Sequence, residues 1–140
     1  MTRALKKLAA AAWLFAGCQR RVELPADLFP ADAGGGWHRV ASREVPASEA
    51  PDPVPRNEID RLEEGVYQGP GNLAARVYVL SSAGVGVVLS QRWRPSADTV
   101  FFHRGRFFAV VKWQTANRAA LQSFIRQLEG RLGPPDPPAP

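Results

Sequence analysis

The chain has a single cysteine, Cys18, so no intramolecular disulfide can form and the folded body relies on its core alone. It has two histidines, His38 and His103, 65 positions apart. With so few nitrogen and sulfur ligands, neither a structural metal nor a cofactor is expected. Its longest uncharged apolar run covers residues 8–16, whereas an ordinary membrane-spanning helix needs about 20 apolar residues. No glycine-rich loop has phosphate- or dinucleotide-binding spacing, and no serine sits in a nucleophile-elbow pattern. Acidic side chains are scarce in the second half, where residues 66–131 hold only Asp98 and Glu129, so paired-carboxylate chemistry lacks its parts. His103 with Ser96 and Asp98 is the one grouping with acid-base residue types, but a histidine between hairpin-tip arginines reads as a solvated turn residue. The expectation is a protein that is not an enzyme.

What is present begins at the N-terminus. Arg3, Lys6 and Lys7 precede the apolar run, and Ala16-Gly17-Cys18 closes it. That is the order of a secretory signal: a basic region, an apolar region and small residues before a cleavage point. Residues 14–18 resemble the lipobox of bacterial lipoproteins, with Phe15 standing where that family most often has leucine. The resemblance implies that residues 1–17 are a signal peptide and that Cys18 carries a diacylglyceryl thioether as the first mature residue. It also implies a membrane partner through that lipid. Gln19, which is not the aspartate that marks inner-membrane retention, implies the outer membrane, facing the periplasm.

The formal charge of +5 is partly a product of this leader. Residues 18–65 carry six basic and ten acidic groups, and residues 66–131 carry nine basic and two acidic. An acidic arm thus precedes a basic body, which suggests either mutual neutralisation or a cationic face for a partner.

Residues 18–56 read as an extended arm. Residues 19–36, ending in Gly34-Gly35-Gly36, suit a flexible tether with a reach of roughly 20 to 25 Å. Trp37, His38, Arg39 and Val40 could dock an edge of the domain, after which Pro46, Pro51, Pro53 and Pro55 forbid regular elements. The domain is expected over 57–132. Asn57 as a cap, Ile59 and Leu62 as an apolar pair and Gly65 as a stop predict a short helix over 58–64. Residues 66–68 and 73–81 read as a hairpin about a 69–72 turn, and residues 83–93 fit helical and period-two spacing equally. Residues 98–113 form the clearest hairpin. A two-residue Arg104-Gly105 loop pairs Phe102 with Phe107 and puts Val100, Phe102, Phe107, Ala109, Val111 and Trp113 on one core face. Thr115 or Asn117 caps a helix to about residue 132, with Leu121, Phe124, Ile125, Leu128 and Leu132 as its apolar stripe. Residues 133–140 form a proline-rich tail without apolar side chains to bury.

The expected fold is therefore α+β, an antiparallel sheet of about four strands in the order β-β-α-β-β-α with both helices on one face. This layout, with Gln91-Arg92-Trp93-Arg94-Pro95 and the aromatic hairpin, is similar to a family of small exported bacterial domains of unknown function, in which the segment matching 83–93 is helical. The second hairpin face, with Phe101, His103, Arg104, Arg106, Phe108 and Lys112, is the candidate interaction face: too apolar for a solvated surface and too charged for a second core. Either the N-terminal arm covers it or it meets a partner. The resulting expectation is a lipid-anchored, non-catalytic domain that binds a protein or another component of the cell envelope. The alternatives are a small enzyme or ligand-binding domain with an unrecognised cleft and, if the signal reading fails, a nucleic-acid platform in which Phe101 and Phe108 stack bases. With export, no nucleic-acid partner is expected.

Overall fold

The computed structural model describes residues 22–94 and 96–135. Five strands form one antiparallel sheet: β1 (His38–Glu44), β2 (Ile59–Gln68), β3 (Gly71–Leu80), β4 (Thr99–Arg104) and β5 (Phe107–Ala116). Their order across the sheet is β1-β2-β3-β5-β4. Helix α1 (Ala83–Arg92) links β3 to β4, and α2 (Arg118–Leu132) follows β5. The fold is α+β, with five strands rather than four and a third strand ahead of α1.

The segment expected as a helix over 58–64 is instead the first part of β2. The spacing of Ile59 and Leu62 misleads because the register shifts between Ile59 and Arg61. This bulge inserts one residue, so side chains three apart share a face, as they would on a helix. Ile59 then lies opposite Leu80 and Leu62 opposite Tyr78.

The β4–β5 turn also differs by one position. Gly105-Arg106 is the loop, with Gly105 at φ 56, and Arg104 pairs with Phe107, Phe102 with Ala109 and Val100 with Val111. A glycine with positive φ at the first central position is what a tight hairpin turn of this hand requires. The pairing moves by two residues, so the side chains of both strands keep their expected faces, and only Arg104, expected in the loop, changes place by joining β4.

Both sheet faces are covered, which places the helices on opposite sides and not together on one. On one side, Leu121, Phe124, Leu128 and Leu132 of α2 pack over Leu73, Ala75, Val77, Ala109 and Val111. The N-terminal segment completes this core with Leu28, Phe29, Ala33 and Trp37, and with partly buried Leu24. Trp37 is fully buried; its indole N–H donates to the Ala120 carbonyl at 2.9 Å, and its ring meets Phe124 edge-on. Tyr67 packs on Phe124 at 4.9 Å between centroids and donates its hydroxyl to the Pro30 carbonyl at 2.8 Å. The chain from Leu24 onward is thus part of the domain and not a tether. Asn117 caps α2, its side chain accepting from the Ala120 N–H at 3.1 Å.

On the other side, Leu89 of α1 joins Leu62, Tyr78, Leu80, Phe108 and Val110, with Val45 and Val54 from the proline-broken segment. Two helices on two faces of one sheet make three layers. The hairpin forces this outcome, since Phe108 and Val110 on its second face are fully buried.

Candidate interaction surface

The six residues expected to share one open face do not. Alternation along β4 sends Arg104 to the α2 side, where its Nη2 lies 3.1 Å from Glu129 Oε2 and its guanidinium sits over Phe102 at 5.4 Å. Phe108 is buried beneath Trp93, at 5.4 Å between centroids, and stacks on Phe101 at 5.9 Å. Phe101 also meets Trp93 at 5.4 Å. Arg106 donates its Nε–H to the Leu80 carbonyl at 2.7 Å and pairs with Asp60. His103 is half-buried next to Gly86 of α1, and Lys112 is exposed. Cys18 lies outside the described residues.

The cover over this face is the arm together with α1. Asp52, held between Pro51 and Pro53, reaches the sheet and accepts from Arg76 Nε at 2.7 Å, from Arg76 Nη2 at 3.0 Å and from the Tyr78 hydroxyl at 2.5 Å. Arg76 Nη1 also lies 3.5 Å from Glu64, which in turn lies 3.5 Å from Arg43 Nε. Burial on its own would lower the Arg76 pKa, but the bond and charge of Asp52 outweigh it and hold the guanidinium above its ordinary value. Burial, reinforced by the bond to Asp52, pushes the Tyr78 hydroxyl well above the usual phenol range. Sequence reasoning overlooked this cluster, although its signal was there: Arg76 is the one charged side chain inside a strand of apolar residues. A buried arginine demands a carboxylate.

With Phe101 and Phe108 covered, the open apolar surface moves outward to α1. Residues 83–91 of this helix carry no charge, and Val87 and Val88 are 43% and 44% exposed. Beside them a groove of about 770 Å³ runs between α1 and the proline segment, lined by Pro53, Pro55, Val85, Val88, Leu89 and Trp93. Arg92 and Arg94 stand at the C-terminal end of the helix, and Glu58 borders the groove. A solvated helix normally turns a charged face outward, which this one does not until Arg92.

The acid-base grouping does not assemble. Asp98 accepts from Ser96 Oγ at 3.1 Å and from Thr99 Oγ1 at 3.0 Å, and these bonds hold its carboxyl below the usual range. His103 lies five positions further along the chain, mostly within extended β4, about 16 Å away at strand rise. Among the described residues, no group of three or more His, Cys, Asp or Glu side chains is arranged to hold a metal, and no helix is long and apolar enough to cross a membrane. No family model, curated protein or solved structure matches the chain.

Proposed function

We propose that this chain is a lipid-anchored protein of the bacterial envelope whose α+β domain binds an apolar segment of an envelope protein in the α1 groove, without catalysis. The observation that carries the binding reading is α1 itself. Its uncharged outer surface, with Val87 and Val88 in solvent, adjoins a groove with Trp93 as aromatic anchor and Arg92 and Arg94 at its end. Interface hot spots have this composition, an aromatic in an apolar pocket with arginine at the margin. The anchor reading rests on the lipobox resemblance at residues 14–18, and outer-membrane placement on Gln19. The separation of His103 from Asp98 supports the non-catalytic part. The burial of Phe108 removes support from a base-stacking platform, since a covered ring cannot stack a base.

Two measurements test the proposal. Intact mass and detergent partitioning of the protein from bacterial membranes should show cleavage before Cys18 and an acylated N-terminus, while Cys18→Ser should leave an unprocessed precursor. Processing of that variant like the wild type would overturn the anchor. A photo-crosslinking residue at Val88 should yield a discrete protein adduct in cells that a residue at Arg118 does not. No adduct at Val88, or the same adduct at both, would overturn the groove.

A further inference from the structure

We propose that the outer face of α2 lies against anionic phospholipid headgroups, so that the α1 groove points away from the membrane. This inference rests on the anchor reading and extends it from an attachment point to an orientation. Leu24 packs against the core beneath α2, with Leu28 and Phe29 following it. Six Cα steps separate Cys18 from Leu24, at most about 20 Å at full extension. A lipid at Cys18 therefore enters the bilayer close to where the chain joins the α2 side of the sheet. The α1 groove is on the opposite side, behind the thickness of the sheet.

The charge of the α2 side fits such a surface. Arg118, Gln122 and Arg126 form an exposed row at four-residue spacing along the helix. The one carboxylate of α2, Glu129, is paired with Arg104. Arg104 and Arg126 border a hollow of about 460 Å³ with Gly130 and Gly133, where side-chain bulk is small. Arg20 and Arg21 stand two and three positions after Cys18 in the sequence. The other acids of this side are Glu23, Asp27 and Asp32 in the connecting segment, with Asp32 accepting from the Gly34 N–H, and Glu44 and Glu63 on β1 and β2, both paired with Arg61 at 3.9 and 2.6 Å. Basic side chains next to a lipid anchor supply the second, electrostatic contact with an anionic leaflet, effective within a Debye length of about 8 Å.

The test uses the acylated full-length chain on vesicles of phosphatidylcholine with or without phosphatidylglycerol. Single cysteines at Gln122 and Val88 are labelled with a soluble maleimide, each rate referred to its own rate in detergent. If the face is docked about four fifths of the time, Gln122→Cys should label about fivefold more slowly on anionic vesicles, with Val88→Cys unchanged. High salt, or Arg118→Glu with Arg126→Glu, should restore the Gln122→Cys rate. Equal relative rates at the two positions on anionic vesicles overturn the orientation while leaving the anchor standing. A chain that fails to float with vesicles of either kind overturns the anchor, and the orientation with it.

Discussion

Asp52 and Arg76 meet in a two-pronged pair, Nε to Oδ2 at 2.7 Å and Nη2 to Oδ1 at 3.0 Å, with side chains only 9% and 11% exposed. The pair joins a proline-broken connection to the middle of β3, so one ion pair fixes 24 residues of chain separation on the α1 side. Removing Asp52 leaves the buried Arg76 with only the longer 3.5 Å contact to Glu64, and losing one partner of a buried pair costs more than the pair itself contributes. Asp52→Ala should therefore destabilise the protein by about 3 to 5 kcal/mol in denaturant unfolding. Arg76→Met with Asp52→Ala should recover much of that loss. A double variant as weak as Asp52→Ala alone would show that the arm is held by other contacts.

Alkali should unfold the protein through its tyrosines. Tyr67 and Tyr78 are the chain's two tyrosines, both fully buried and both raised above the ordinary value of 10.0, chiefly by burial. Because the folded pKa exceeds the unfolded one, this stabilisation is fully present below pH 10 and is lost as pH rises above it. Phenolate absorbance should therefore appear together with the loss of tertiary structure. A phenolate signal with a midpoint near pH 10 in a chain that stays folded would contradict the burial of these rings.

The hairpin of β4 and β5 and the stripe of α2 were legible in the sequence because their patterns are strong and survive small errors. The turn was misplaced by one residue, yet a pairing shift of two leaves each side chain on its face. The first part of β2 was not legible, since a bulge makes Ile59 and Leu62 imitate a helix. The packed N-terminal segment was hidden for another reason: Leu28, Phe29 and Trp37 are isolated among prolines and glycines, with no period to detect. The aromatic content of the candidate face and the arm as one cover for it were legible, since Val45, Asp52 and Val54 of the arm pack there, but the share taken by α1 was not. Which side of the sheet α1 would take depended on two apolar faces that were equally available to it.

Two glycines should respond in opposite directions to alanine. A Cβ on Gly65 would lie 2.6 Å from the Phe29 ring, which is wedged in the α2-side core. Gly65→Ala should cost about 1 to 3 kcal/mol by overpacking. Gly130 lies in α2 with nothing within 4 Å of that position. There alanine should stabilise by about 0.5 to 1 kcal/mol through helix propensity. Thermal unfolding of both variants checks the pair, and a neutral Gly65→Ala would mean that Phe29 does not seat against β2.

The outer surface of α1 offers a separation of function from stability. Val87 and Val88 are 43% and 44% exposed, whereas Leu89 beside them is 8% exposed and belongs to the core. Substituting Val87 and Val88 together by glutamate should leave stability within about 0.5 kcal/mol, as for most surface changes. Leu89→Ala, by contrast, should cost about 2 to 5 kcal/mol. If α1 is the binding surface, the glutamate pair should abolish the adduct formed by a photo-crosslinking residue at Val85, which lines the same groove, in a protein that melts like the wild type. A glutamate pair that lost several kcal/mol would show that these valines are already covered in the folded chain. One that kept both its stability and the adduct would remove α1 from the interface.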